Sequence, residues 1–260
     1  MAVADTGLVP RISLDPLPPN GPVPSLTKRI ITLLSVGEED LVVDLDCRDL
    51  PSLQRTAEKI RPRAQTIALS PFSERLAFLL ITSGIRMARM GTRTFGRFAM
   101  RYKQVVLRDG FSQLKDGLRR MLADVLSQLD PAGRVLIVGS APSPDSPLFA
   151  KGLRRWKRQH RSPEVIAELM REAGFSAQVE TVECSRRVSA AKCYTWVESR
   201  DWSILESFRE VELQRGLCEL RARYGSQHVV EFTSRFDLVL GTKSGSLANW
   251  TGSLPRLPRI

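Results

Sequence analysis

The chain has 260 residues, with Lys plus Arg at 39 against Asp plus Glu at 28, a formal charge of +11. Its 42% apolar and 26% charged residues suit a globular chain with a core and exclude a wholly disordered one. The longest apolar stretch, Leu76–Ile81, falls far short of the roughly 18 to 20 residues a membrane helix needs, so no transmembrane segment is expected.

Six prolines between Pro10 and Pro24 forbid helix and remove ladder donors, so residues 1–24 are expected as an extended arm. Ser25–Leu34 reads as a helix with Leu26, Ile30, Leu33 and Leu34 on one stripe. Leu41–Leu45 is short and β-branched, a buried strand. Ser52–Ile60 is a helix candidate, Gln65–Leu69 a second strand, and Ser73–Thr82 a helix. Gln104–Leu107 is a strand and Gln113–Leu129 an amphipathic helix. Pro131-Ala-Gly133 marks a turn before the strand Arg134–Gly139. Ser162-Pro163-Glu164 opens a helix with a capping hydroxyl, Pro at the first position and an acid at the positive end of the dipole. Val165, Ile166, Leu169, Met170 and Ala173 form its apolar face, and Gly174 ends it. Gln178–Val182 and Phe236–Thr242 are further strands, the second preceded by a helix over Ser207–Tyr224. Residues 245–260 read as a flexible tail. Strands separated by helices imply a doubly wound, mostly parallel sheet with ligands at the carboxyl ends of its strands.

The N-terminus has no charged head followed by an apolar core, so no secretory signal is expected. Cys47, Cys184, Cys193 and Cys218 show no paired spacing and read as free thiols in a reducing, cytoplasmic setting. With only His160 and His228 besides, no metal site is expected.

Three segments together resemble the class I S-adenosylmethionine-dependent methyltransferases, over roughly Ser25 to Lys243. Leu126–Val138 (LSQLDPAGRVLIV) is like that family's entry to its fifth strand. Ser162–Phe175 (SPEVIAELMREAGF) is like the helix that follows, and FDLVLGTK is like the closing strand. The resemblance implies a Rossmann-like sheet of seven strands, the last antiparallel between the fifth and sixth. It also implies one domain over 25–244, with a lid-like insertion at about 185–225.

The chain departs from the family where the cofactor is held. A pattern like D-x-G-C-G-T-G aligns with Asp44-Leu45-Asp46-Cys47-Arg48-Asp49-Leu50. Asp44 and Cys47 match, whereas Asp46, Arg48 and Leu50 stand at the glycines. A left-handed non-glycine residue costs about 1 to 2 kcal/mol, and each added side chain fills space the backbone otherwise leaves bare. Leu69 aligns with the acid that pairs the ribose hydroxyls, and an apolar side chain accepts no hydrogen bond. From Arg75 to Arg108 there is no acid, where the family has one near the adenine.

Two basic segments concentrate the charge. Arg89, Arg93, Arg97 and Arg101 recur every four residues, one positive stripe if Ile85–Tyr102 is helical. Gly91 and Gly96 weaken that helix, and the resemblance implies a strand and loop instead. Phe95 and Phe98 lie between the arginines, where bases stack in nucleic-acid binders. The second segment, Lys151–Arg161, contains Arg154, Arg155 and Arg158 around a single Trp156. It fits an anionic membrane surface or an acidic partner, and His160 within it is expected on the surface. Cys193, Tyr194 and Trp196, in the insertion, are the substrate-lid candidates the resemblance implies.

The expected function is a methyltransferase-like protein whose S-adenosylmethionine site is lost or rebuilt, acting as an accessory partner of an active methyltransferase or as a repurposed enzyme. The alternatives are an active methyltransferase on a small molecule and a nucleic-acid-binding module.

Overall fold

The computed structural model describes residues 24–35, 42–45, 66–70, 85–89, 102–108, 117–225 and 227–243. The expected helices Ser52–Ile60 and Ser73–Thr82, the arm before Pro24 and the tail lie outside these residues.

The strands are β1 (Val42–Leu45), β2 (Thr66–Ser70), β3 (Ile85–Arg89), β4 (Tyr102–Arg108), β5 (Leu129–Ala141), β6 (Phe175–Ser189) and β7 (Val229–Lys243). They pair in one sheet in the order β3-β2-β1-β4-β5-β7-β6. Pairings from β3 to β5 are parallel, and β7 runs antiparallel between β5 and β6. The order reverses between β1 and β4, the switch point beside which open α/β sheets bind their ligands. The described helices are α1 (Pro24–Leu34), α2 (Gly117–Gln128), α3 (Ala150–Gln159), α4 (Pro163–Glu172), α5 (Ala190–Glu198) and α6 (Glu210–Tyr224).

The period of two along the strands sorts their side chains onto two covered faces. Val105, Leu107, Val135, Ile137 and Val239 pack with α2 and α4. Val106, Leu136, Val138, Phe236 and Leu238 pack against Leu26, Ile30 and Leu34 of α1. Arg29 Nε also donates to Glu180 Oε1 of β6 at 2.6 Å, and Arg134 Nη1 donates to the Leu33 carbonyl at 2.7 Å, near the end of α1. The α4 signals act as expected: Ser162 Oγ accepts from the Val165 amide, Pro163 is the first residue, and Gly174 stops the helix at φ +100°.

Several elements differ from expectation. Pro131-Ala-Gly133 lies inside the span of β5. Tyr102 pairs with Leu129 and Gln104 with Arg134, so 130–133 bulge out of the ladder. The segment Ile85–Arg89 is a strand, so Arg89 cannot share a helical stripe with Arg93, Arg97 and Arg101, which lie outside the described residues.

Both closing strands are far longer than their apolar cores suggest. They pair from Phe175↔Lys243 to Ser189↔Val229, whereas β5 ends at Ala141↔Arg235. The segment expected as an insertion at about 185–225 therefore starts with the last residues of β6, which runs to Ser189. It continues through α5, a 3-10 turn (Ser203–Ser207) and α6, and α5 had no counterpart in the sequence reading. Cys193, Trp196, Trp202, Phe208, Leu213, Leu217 and Leu220 form its core with Leu148 and Phe149 from the loop after β5.

Candidate functional site

The carboxyl edge of the sheet is assembled by register. Leu45, the last residue of β1, pairs with Leu69 of β2 and with Leu107 of β4. Leu69 pairs in turn with Ala88, and Ser70 with Arg89, at the end of β3. Asp44 lies one residue further back, paired with Ala68 and Val106. Neither Thr66–Ser70 nor Ile85–Arg89 contains a carboxylate, the group that pairs ribose hydroxyls at this edge in the resembled family. The last residues of the two strands are Ser70 and Arg89. Asp46, Cys47 and Arg48 lie outside the described residues.

Past the end of β5, the chain closes a small cleft against the insertion. Ser140, Ala141, Ser146, Trp156, Trp202, Phe232 and Arg235 are among its walls, around a space that holds no more than about one water. The loop beneath is locked to β7 where β5 no longer covers it. The Thr233 amide donates to Asp145 Oδ2 at 2.7 Å, and the Ser143 hydroxyl bonds the other oxygen. Burial alone pushes the Asp145 carboxyl upward; these bonds outweigh it and hold it below its ordinary value.

The lid candidates take other places. Cys193 and Trp196 are buried in the insertion core and do not line the cleft, which corrects the expectation. Trp196 stands edge-on to Trp202 at 5.7 Å and to Phe232 at 6.3 Å. Burial pushes the Cys193 thiol up to about 11, which removes it as a nucleophile near neutral pH. Tyr194 is half-buried, with the Arg221 guanidinium 5.7 Å from its ring centre. The helical period places Cys193 and Trp196 on one inward face of α5, where apolar side chains are worth most buried.

The residue that sequence reasoning set aside is His160. Its side chain is 20% exposed, and Nε2 lies 3.2 Å from Oδ2 of Asp237, whose side chain is 2% exposed. Thr181 donates to Asp237 Oδ1 at 3.0 Å, and Arg235 Nε stands 3.6 Å from the same oxygen. Burial raises the Asp237 carboxyl, but the nearby His160, the hydrogen bond from Thr181 and the Arg235 charge overcome it and hold it below its ordinary value. Arg235 also lines the cleft, so it links this buried acid to the open edge. The available signal was the Asp in FDLVL: a charge inside an apolar strand needs a partner.

The basic helix α3 faces two ways. Arg155 lies over the Phe208 ring at 5.0 Å, and Trp156 packs against the insertion core. Arg154 and Arg158 are exposed. Among the described residues no His, Cys, Asp and Glu gather as a metal site, and no helix is long and apolar enough to cross a membrane.

No protein-family model matches the chain, and no curated protein matches it. Solved structures do. Phosphoethanolamine N-methyltransferase 2 of Haemonchus contortus, bound to phosphomonomethylethanolamine and S-adenosylhomocysteine, is similar at TM-score 0.53 and 13% identity. The match covers 84% of this chain but only 52% of that one, so this chain spans about half its length. The cyclopropane synthase MmaA2 of Mycobacterium tuberculosis gives TM-score 0.53 at 14% identity, covering 84% of this chain and 83% of that one. The YcgJ protein of Bacillus subtilis gives 0.55 at 14% identity, covering 85% and 99%. With the sheet order and the antiparallel β7, these likenesses show that the chain has the fold of the class I S-adenosylmethionine-dependent methyltransferases.

Proposed function

We propose that this chain is a methyltransferase-fold protein with a rebuilt cofactor edge, serving as an accessory or regulatory subunit beside an active methyltransferase. The observation that carries the reading is the register at the strand ends: Leu69 stands level with Leu45, and Ser70 with Arg89. An adenosine laid across this edge meets Leu69 at the position where its hydroxyls need an acceptor, with Arg89 on the adjacent strand. Leaving two buried hydroxyls unpaired costs about 1 to 3 kcal/mol each, enough to remove most of a micromolar affinity. Isothermal titration of the full chain with S-adenosylmethionine tests this. Absence of binding is expected, and micromolar binding overturns it.

A second reading, an active enzyme on a small molecule, is favoured by the His160–Asp237 pair. An imidazole beside a buried carboxylate is the residue pairing used to take a proton from a hydroxyl or amine, and Arg235 lies near both this pair and the depression at the sheet edge. That reading requires S-adenosylmethionine to bind, so the same titration separates the two.

A further inference from the structure

Helix α3 and the residues just after it carry Lys151, Arg154, Arg155, Lys157, Arg158 and Arg161, with no acid between Ala150 and Arg161. The elements between β6 and β7 cover one flank. Lys151 Nζ donates to Glu212 Oε1 at 2.5 Å, and Arg155 rests on Phe208. Glu219 is taken by the Ala150 amide at 2.8 Å and by Arg223 at 3.0 Å. The other flank has no such partners: Arg154, Lys157 and Arg158 are exposed and meet no acid among the described residues. Arg154 and Arg158 are spaced i,i+4, and Arg154 and Lys157 i,i+3, so the three cations share one stripe.

We infer that this stripe binds the phosphate backbone of a nucleic-acid strand. A protein partner or a membrane buries apolar surface at the centre of its contact. The outer face of α3 offers none. Its large apolar residues, Leu153 and Trp156, are half-buried, and the exposed large apolar side chains Val165, Val179, Val211 and Val229 all lie elsewhere. Nucleic-acid interfaces are instead polar and positively charged. A row of cations with no acid between them matches a polymer that repeats one negative charge, and guanidinium groups take phosphate oxygens in pairs. The inference does not depend on whether S-adenosylmethionine binds.

The test is fluorescence anisotropy of a labelled 20-nucleotide single-stranded RNA, and of DNA of the same sequence, titrated with the full chain at several salt concentrations. Binding is expected at low salt, with log K falling against log salt at a slope of about 2 for three phosphate contacts. R154E/R158E is expected to weaken binding about tenfold or more and to lower the slope by about 1.4. R120E, an exposed cation on α2, is expected to leave both unchanged. Circular dichroism reports whether each variant folds, and R154Q/R158Q replaces the charge reversal if that variant does not. The inference is overturned by absence of binding to either strand, by equal loss in R120E, or by polyglutamate competing as well as the RNA at equal charge.

Discussion

His160 Nε2 stands 3.2 Å from Asp237 Oδ2, joining the loop that ends α3 to an acid in the middle of β7. Thr181 on the neighbouring strand donates a hydrogen bond to Asp237 Oδ1, and Asp237 pairs with Gly139 of β5, which brings no Cβ of its own. The acid is thus held from a loop and two strands at the point where the core meets the cleft.

Removing the Asp237 carboxylate strands its partners. D237A is expected to destabilise the chain by about 3 kcal/mol, the lower end for breaking a buried charged contact, because His160 keeps some water. T181V, which deletes one hydrogen bond, is expected to cost about 1 kcal/mol. Urea unfolding of the two variants measures both.

Asp237 and Asp145 also set the acid limit. Both carboxyls are held below their ordinary value when folded, whereas an unfolded aspartate titrates at about 3.9. The unfolded chain therefore takes up protons first as pH falls. The stabilisation is complete above the unfolded value and is lost as pH falls through the folded ones. The urea midpoint is expected to be level from neutral pH to about 5 and to drop below about 4, with a shallower drop in D145N.

Two glycines admit close packing, and they differ in what a methyl group would strike. A Cβ on Gly216 of α6 would lie 2.4 Å from the Phe149 ring, which is buried and stands edge-on to Phe208. A Cβ on Gly241 of β7 would meet the Met170 methyl at 2.3 Å, the free end of a flexible side chain. G216A is expected to cost about 2 to 3 kcal/mol and G241A about 1 kcal/mol or less. A thermal melt that ranks G241A as the worse variant contradicts this packing.

Thiol reactivity separates the cysteines. In a Cys47→Ser chain, Cys218 is exposed while Cys184 and Cys193 are buried. A thiol reagent at neutral pH is expected to modify Cys218 promptly, and the other two only after denaturant is added. Mass spectrometry of the modified peptides reads the order; early modification of Cys193 would place it outside the core.

Local pattern determined much of this protein. β-branched runs marked β1, β2, β4, β5 and β7 to within a few residues at their apolar centres, and Ser162-Pro163-Glu164 with Gly174 marked both ends of α4. These signals are legible because a cap or a two-residue period acts within a few bonds of itself.

Tertiary structure decided the rest. The outer halves of β6 and β7 carry Glu183, Ser185, Arg187 and Glu231, which read as loop; they are strands because each supplies the other's backbone partners. Cys193 and Trp196 looked like lid residues until the helix that carries them turned its apolar face onto Trp202 and Phe232. His160 looked like the end of a solvated basic helix, and a single buried carboxylate far along the chain gave it a partner. The +11 charge divides the same way: the count of cations is written in the sequence, but which of them are neutralised depends on where acids such as Glu212 and Glu219 lie in space.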